Sequence, residues 1–362
     1  MKHIKGLERG MGIGGWLTNY KRFNVLPEHR RMDITIGDME HFESYITERD
    51  IEYIASLGMD HVRLGFDQIV IEEAPFVYRE RIIALLRDFV LWCHKHSLRP
   101  VLNMHKAIGN YCDIRESVSL LDSPELKERF IALWCMMEDE FSGDNEVVFE
   151  LLNEVRDVDP EKWNSLASDT VAALRKKNAE RLIIIGSTCW NSPDRLDALR
   201  IFEDENIVYT FHFYAPHEFT HQQGVLQADQ LYYNRKMPYP TDDAERYRDA
   251  QRTIWGNYEK YAGFERIDID CLRADMIGAK RFAQAHPDLA LWCGEFGTIR
   301  HCDIVYRENW MRDVITILKE WDIPYCVWNY LSTPNDGNRF SLVDDDTRLI
   351  LSDEMARIIK GE

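Results

Sequence analysis

The sequence predicts a (β/α)8 barrel, an α/β fold of the TIM-barrel type, and three observations carry the prediction. Eight short apolar runs of strand length alternate with stretches whose apolar residues recur at helical spacing. The chain, at 362 residues, exceeds one ordinary domain but suits one barrel with inserted loops. Polar side chains stand at the ends of the apolar runs, and the carboxyl ends of barrel strands are where chemistry gathers. A doubly wound sheet is the competing arrangement. Internal repeats and low-complexity tracts are absent, so residues 1–362 read as a single domain, with 215–267 as an inserted region within it.

Each element has its own signal. Gly10 to Leu17 is a glycine-rich first strand, whose backbone must pass close to a neighbour or ligand; neither a Lys-Ser/Thr pair nor a helix follows, so it is no phosphate loop. Thr18 to Tyr45 reads as a long polar connection. Thr47 with Asp50 three residues on opens a helix that Gly58 closes. Asp60 to Phe66 is the second strand, Tyr78 to His96 a helix, and Pro100 to His105 the third strand. Ser123-Pro124-Glu125 supplies a cap, a proline at the first helical position and an acid in the first turn of a helix to about Phe141. A fourth strand ends at Glu154, Pro160 begins a helix, and Arg181 to Ser187 is the fifth strand. Asn206 to Phe213 is the sixth.

After the sixth strand the pattern fails for far longer than a usual connection. The insert carries Tyr232, Tyr233, Tyr239, Tyr247, Trp255, Tyr258 and Tyr261. It reads equally as a wall over a site or as a satellite cluster packed on the barrel. Asp268 to Ala285 is helical, Leu289 to Glu295 the seventh strand, Val305 to Trp321 a helix, Ile323 to Trp328 the eighth strand, and Thr347 to Ile359 a last helix.

Composition narrows the function. Asp+Glu of 62 against Lys+Arg of 44 gives a net charge of −18, which repels phosphate backbones and anionic lipid, so nucleic acid and membrane are poor partners. The 10 Trp, 16 Tyr and 16 Phe suit a neutral, flat-faced ligand such as a sugar. The start, Met1-Lys2-His3-Ile4-Lys5, lacks a secretory core, so a cytoplasmic location is expected unless a leader has been removed. The eight cysteines form no C-x-x-C pair and read as buried free thiols rather than disulfides or a zinc site. No cofactor or metal is expected, and the oligomeric state stays open.

The strand ends supply the chemistry. Arg63 interrupts the second strand, His105 ends the third, Asn153 and Glu154 the fourth, His212 and Tyr214 the sixth, Glu295 the seventh and Trp328 the eighth. Each alone has a structural explanation, but in a closed barrel all converge on one mouth. Two carboxylates there suit a glycosidic bond: one protonates the leaving oxygen while the other attacks or positions water. The nucleophile must stay ionised beside a cation, which Arg63 supplies, and the acid must stay protonated.

The set Gly14-Gly15-Trp16-Leu17, Arg63, His105, Leu152-Asn153-Glu154, His212-Phe213-Tyr214, Gly294-Glu295-Phe296-Gly297 and Trp328 resembles the cellulase family of retaining glycosidases, glycoside hydrolase family five, from about residue 7 to 330. The resemblance implies Glu154 as acid/base and Glu295 as nucleophile. It further implies that Asn153 donates to the sugar 2-hydroxyl, that Arg63 and Tyr214 hold Glu295, that His105 bonds the sugar, that His212 orients Glu154 and that Trp328 forms the stacking floor. Trp16 and Trp190 add candidate stacking surfaces outside the core motif.

The chain departs from the family pattern at Lys106, at Asn329 after Trp328, and in the long sixth connection. The expected substrate is β-1,4-linked glucan or its oligosaccharides. Exo-acting β-glucosidase, β-mannosidase or β-1,3-glucosidase action on short oligosaccharides is the alternative, and a non-catalytic carbohydrate-binding barrel stands as a different class. A metal-dependent barrel hydrolase using His105 and His212 lacks an H-x-H or H-E-x-x-H motif.

Overall fold

The computed structural model describes residues 1–18, 36–111, 119–227, 230–232, 235–255, 260–333, 336 and 338–362. Eight parallel strands form a closed barrel: β1 (Arg9–Leu17), β2 (His61–Asp67), β3 (Arg99–Lys106), β4 (Val148–Glu150), β5 (Ile183–Gly186), β6 (Ile207–Phe213), β7 (Ala290–Phe296) and β8 (Tyr325–Val327). Each pairs with its neighbours in sequence, and β1 closes the ring on β8 through Arg9 opposite Tyr325. The sequence expectation of a (β/α)8 barrel holds.

Strands covered on both faces need near-continuous apolar runs, and every residue of β2, β6 and β7 is buried. Side chains alternate across each strand. One set, with Val101, Val148, Ile184, Val208, Trp292 and Cys326, forms a small cluster of its own; a much larger cluster joins strands to the surrounding helices. Two residues beyond Val101, Val148 and Val208 on the same faces come Asn103, Glu150 and Thr210, all fully buried. The barrel interior is thus apolar at one level and polar at the next. That polar layer leads to the mouth.

The helices begin where local chemistry says they should. Ser123 Oγ accepts from the Leu126 amide at 3.3 Å ahead of Pro124–Glu140, and Asp159 accepts from the Glu161 amide at 3.1 Å ahead of Pro160–Arg175. Asp50 accepts from the Thr47 amide at 2.8 Å at the start of Glu48–Ser56.

Four expectations need correction. β4 ends at Glu150, so Asn153 and Glu154 lie in the segment beyond it; that segment stays fixed because Leu151 donates to Ile184 O at 3.1 Å and Asn153 to Met104 O at 2.9 Å. The polar connection before Tyr45 contains a helix, Ile36–Ser44, while residues 19–35 lie outside the described residues. The span from Asp268 is two helices, Ile269–Asp275 and Ile277–Ala285, parted at Met276. The last helix is Asp353–Ile359, capped by Ser352, because Thr347 is held in a turn by Asp344.

The long insert has structure: a helical turn His217–Thr220, a hairpin of Gly224–Gln227 with Gln230–Tyr232, and a helix Ala244–Trp255. Tyr239, Tyr247 and Tyr261 are buried, and their hydroxyls donate to Asp313, Pro238 O and Asp275, each at 2.8 Å. These three follow the satellite-cluster reading. Tyr233 and Tyr258, and the side chains of Tyr232 and Trp255, lie outside the described residues. Seven cysteines are free thiols, and Cys112 lies outside the described residues. Among the described residues no helix is long and apolar enough to cross a membrane.

Candidate active site

The site is built around a buried guanidinium. Arg63, on β2, is fully buried, where a lone charge would be costly, and its donors are shared among three acceptors. Nε and Nη2 form a fork on Glu150, at 2.5 and 2.7 Å; Nη2 also donates to Asn153 Oδ1 at 2.6 Å, and Nη1 donates to Glu295 Oε1. With Oδ1 occupied, the Asn153 amide keeps its N–H groups for another acceptor. Sequence reasoning passed over Glu150 as a site residue. Its signal was a carboxylate inside an apolar strand, which burial obliges to find a cation.

A bulge aims Glu295. Opposite β6, Cys293 pairs with Phe211 but Glu295 pairs with His212, so Gly294 is the extra residue. Without it Glu295 would share the face of Cys293; the bulge turns it to the face of His212. Glycine is needed there, since a Cβ would sit 2.6 Å from Thr210 Oγ1 and 3.2 Å from the Trp292 ring. Tyr214, just past β6, donates its hydroxyl to Glu295 Oε2 at 2.8 Å.

Glu154 meets Glu295 across the mouth. One donor atom each from Glu154, His212 and Glu295 lies within 4.8 Å of the other two. His212 Nδ1 is 3.0 Å from Glu154 Oε1 and 3.5 Å from Glu295 Oε2. Their spacing would let a cation gather these donors, but Glu295 already accepts from Arg63 and Tyr214, and Glu154 is bound to His212 Nδ1.

The mouth is completed by aromatic surfaces. Trp328, one residue beyond β8, stacks on His105 with centroids 5.3 Å apart and rings 9° from parallel, and Arg63 lies 5.8 Å from its ring centre. Gly12 lets the indole approach, because a Cβ there would stand 2.7 Å from the ring. Trp190 is 46 % exposed, and its amide donates to Val155 O at 2.8 Å, so it is tied to the residue after Glu154. Trp16 is a correction: it has no exposed surface, stacks on Trp92 at 6.1 Å and donates Nε1 to Phe42 O at 2.6 Å. It packs the layer outside the barrel and offers no face to a ligand.

Electrostatics separate the groups. Burial lowers the His212 pKa to about 4, with Glu295 partly opposing, and burial with Arg63 and Lys106 nearby holds His105 well below the ordinary histidine value. Both rings are neutral near pH 7. Burial disfavours the charge on Arg63, but Glu150 and Glu295 outweigh it and raise its pKa. Burial, then Glu295, pushes the Tyr214 hydroxyl up, so it remains a donor.

A parallel barrel with paired carboxylates at its mouth points to a sugar-cleaving enzyme class, the glycoside hydrolases. The chain belongs to the cellulase family, glycosyl hydrolase family 5, whose model matches residues 27–333. It is 34% identical over 357 residues to Endoglucanase C of Acetivibrio thermocellus, covering 97% of each chain. It is 29% identical over 315 residues to Cellodextrinase A of Ruminococcus flavefaciens, covering 85% of this chain and 80% of that one. Among solved structures, a hyperthermophilic endo-beta-1,4-glucanase in complex with substrate matches with a TM-score of 0.72 at 20% identity, covering 99% of this chain and 98% of the other; that likeness concerns the fold. The chain is therefore an endoglucanase-like glycoside hydrolase.

Proposed function

We propose that the chain hydrolyses β-1,4-linked glucan or its oligosaccharides with retention of anomeric configuration, with Glu295 as nucleophile and Glu154 as acid/base. The observation that carries the reading is the approach of the two carboxylates within 4.8 Å, close to the roughly 5 Å gap of retaining enzymes and short of the wider gap that admits a water in inverting ones. In the first step a Glu295 oxygen attacks the anomeric carbon while the Glu154 carboxylic acid protonates the departing glycosidic oxygen. In the second, the Glu154 carboxylate takes a proton from water, whose oxygen attacks the same carbon and expels Glu295.

The partners divide this labour. Arg63 and Tyr214 give Glu295 a cation and a donor, one to each carboxylate oxygen, and so hold it in place. His212, neutral near pH 7, bonds Glu154 Oε1 through Nδ1 at 3.0 Å without adding a positive charge that would hold it deprotonated. Asn153 has N–H groups left for the sugar 2-hydroxyl, the exposed Trp190 offers a flat face to a sugar ring, and the mostly buried Trp328, stacked on His105, would form with it the floor beneath the cleaved position. The Endoglucanase C likeness supports glucan as substrate.

Glu295→Ala is expected to lose about 10⁴-fold or more in kcat, and azide should restore turnover with inverted product. Full activity in that variant would sink the assignment. Turnover that persists in a chelator separates the reading from metal-assisted hydrolysis, and product profiles from cello-, laminari- and manno-oligosaccharides decide the linkage and sugar.

A further inference from the structure

One carboxylate in the barrel has no part in the scheme above. Glu150 is completely buried at the end of β4 and takes the Nε and Nη2 edge of Arg63 in a fork at 2.5 and 2.7 Å. Such fork–fork pairs fix the guanidinium plane as well as neutralising it. With that edge occupied, Arg63 cannot turn in its plane, and Nη1 is left pointing at Glu295.

Charge adds a second consequence. Around Arg63 and Glu295 stand groups from the neighbouring elements: His105 on β3 with Lys106 beside it, Glu150 on β4 with Glu154 beyond, His212 and Tyr214 at the end of β6, Cys293 on the other face of β7 and Cys326 on β8. Burial keeps both histidines neutral, and it keeps the tyrosine and the two thiols protonated. The guanidinium that hydrogen-bonds Glu295 is thus shared with a second buried carboxylate, Glu150.

We propose that Glu150 is a positioning residue that aims Arg63 Nη1 at Glu295 and takes part of the guanidinium's charge. A guanidinium spent on Glu295 alone would stabilise the carboxylate further and weaken it as a nucleophile. The inference rests on the reading of Glu295 as nucleophile and specifies how that nucleophile is tuned.

The sign follows from electrostatics. Removing the Glu150 charge removes a repulsion from ionised Glu295 and frees more of Arg63's attraction, so Glu295 should ionise at lower pH. In Glu150→Gln, the acid limb of kcat/KM on an aryl β-cellobioside is expected to move down by about one pH unit, with kcat falling roughly 10- to 100-fold and KM little changed. Labelling with a 2-deoxy-2-fluoro cellobioside, read by mass spectrometry in wild type and variant, should still place the ester on Glu295. An ester elsewhere in the wild type overturns the nucleophile assignment and the inference with it. An ester on Glu295 with an unmoved acid limb overturns the inference alone and leaves Glu150 as a structural counter-ion. Should Glu150→Gln not fold, Glu150→Asp draws the carboxylate back from the guanidinium and must move the limb in the same direction by less; an unmoved limb there has the same adverse meaning.

Discussion

Arg63 and Tyr214 grip opposite oxygens of one carboxylate, Oε1 and Oε2 of Glu295. Because burial keeps the Tyr214 hydroxyl protonated, its bond persists across the working pH range. Tyr214→Phe should therefore lower kcat/KM by roughly 10- to 100-fold, the cost of one hydrogen bond to a charged group. The loss should persist on the pH plateau and deepen on the acid side, and a loss confined to alkaline pH would contradict the donor role. At this scale the sequence was informative about residue type and blind to exposure. Trp16 and Trp190 read alike as stacking candidates, yet one is sealed against Trp92 and Phe89 while the other stands open on a turn. Glu150 was hidden for the opposite reason. Its neighbours Asn153 and Glu154 stood out as strand-end polar residues, whereas a carboxylate within the run gains meaning only when Arg63 arrives from β2.

Among elements, the bulge in β7 and the turn after β5 do most to shape the site. Gly294→Ala pushes a methyl against Thr210 Oγ1, and should cost about 1–3 kcal/mol and reduce activity as Glu295 is displaced. Thr210 Oγ1 has no hydrogen-bond partner among the described residues, so Thr210→Ala removes the obstruction without breaking a bond. The double variant should recover much of the lost stability in urea melts; equal melts for single and double variants would refute the steric account. After β5, Cys189, Trp190 and Asn191 all have φ between 56° and 58°, a conformation costly for side-chain-bearing residues. Asn191 holds the turn by accepting from the Ser187 amide at 2.8 Å and reaching Asn153 O at 3.4 Å. Asn191→Ala should release Trp190 and raise KM for longer oligosaccharides more than for an aryl glycoside. Strand existence and order were legible because apolar runs of the right length have few other uses in this pattern. Their ends were not: β4 shortens to Val148–Glu150 because the pairing that ends a strand depends on its neighbours. The bulge left no trace beyond the glycine itself.

For the molecule as a whole, neutral histidines inside the barrel tie stability to acidity. His212 titrates near 4 in the fold against an ordinary 6.5, and His105 shifts the same way. Between those pH values the unfolded chain binds more protons, so stability is full above about 6.5 and declines as pH falls toward 4. The slope is about 1.4 kcal/mol per pH unit for each such histidine. His212→Gln should flatten the fall measured by chemical denaturation at pH 4 to 7, and an unchanged slope would show that the ring is not kept neutral by folding. The ring of strands carries a different consequence. β1 is hydrogen-bonded on one side to β2 and on the other to β8, whose residues are separated from it by nearly the entire chain. During synthesis the first strand therefore waits with one edge unpaired until the last has left the ribosome, a long interval in which its amides and carbonyls are open to wrong partners. A nascent chain stalled before Tyr325 should engage chaperones that a chain stalled well past the C-terminal helix, on an added linker, no longer needs.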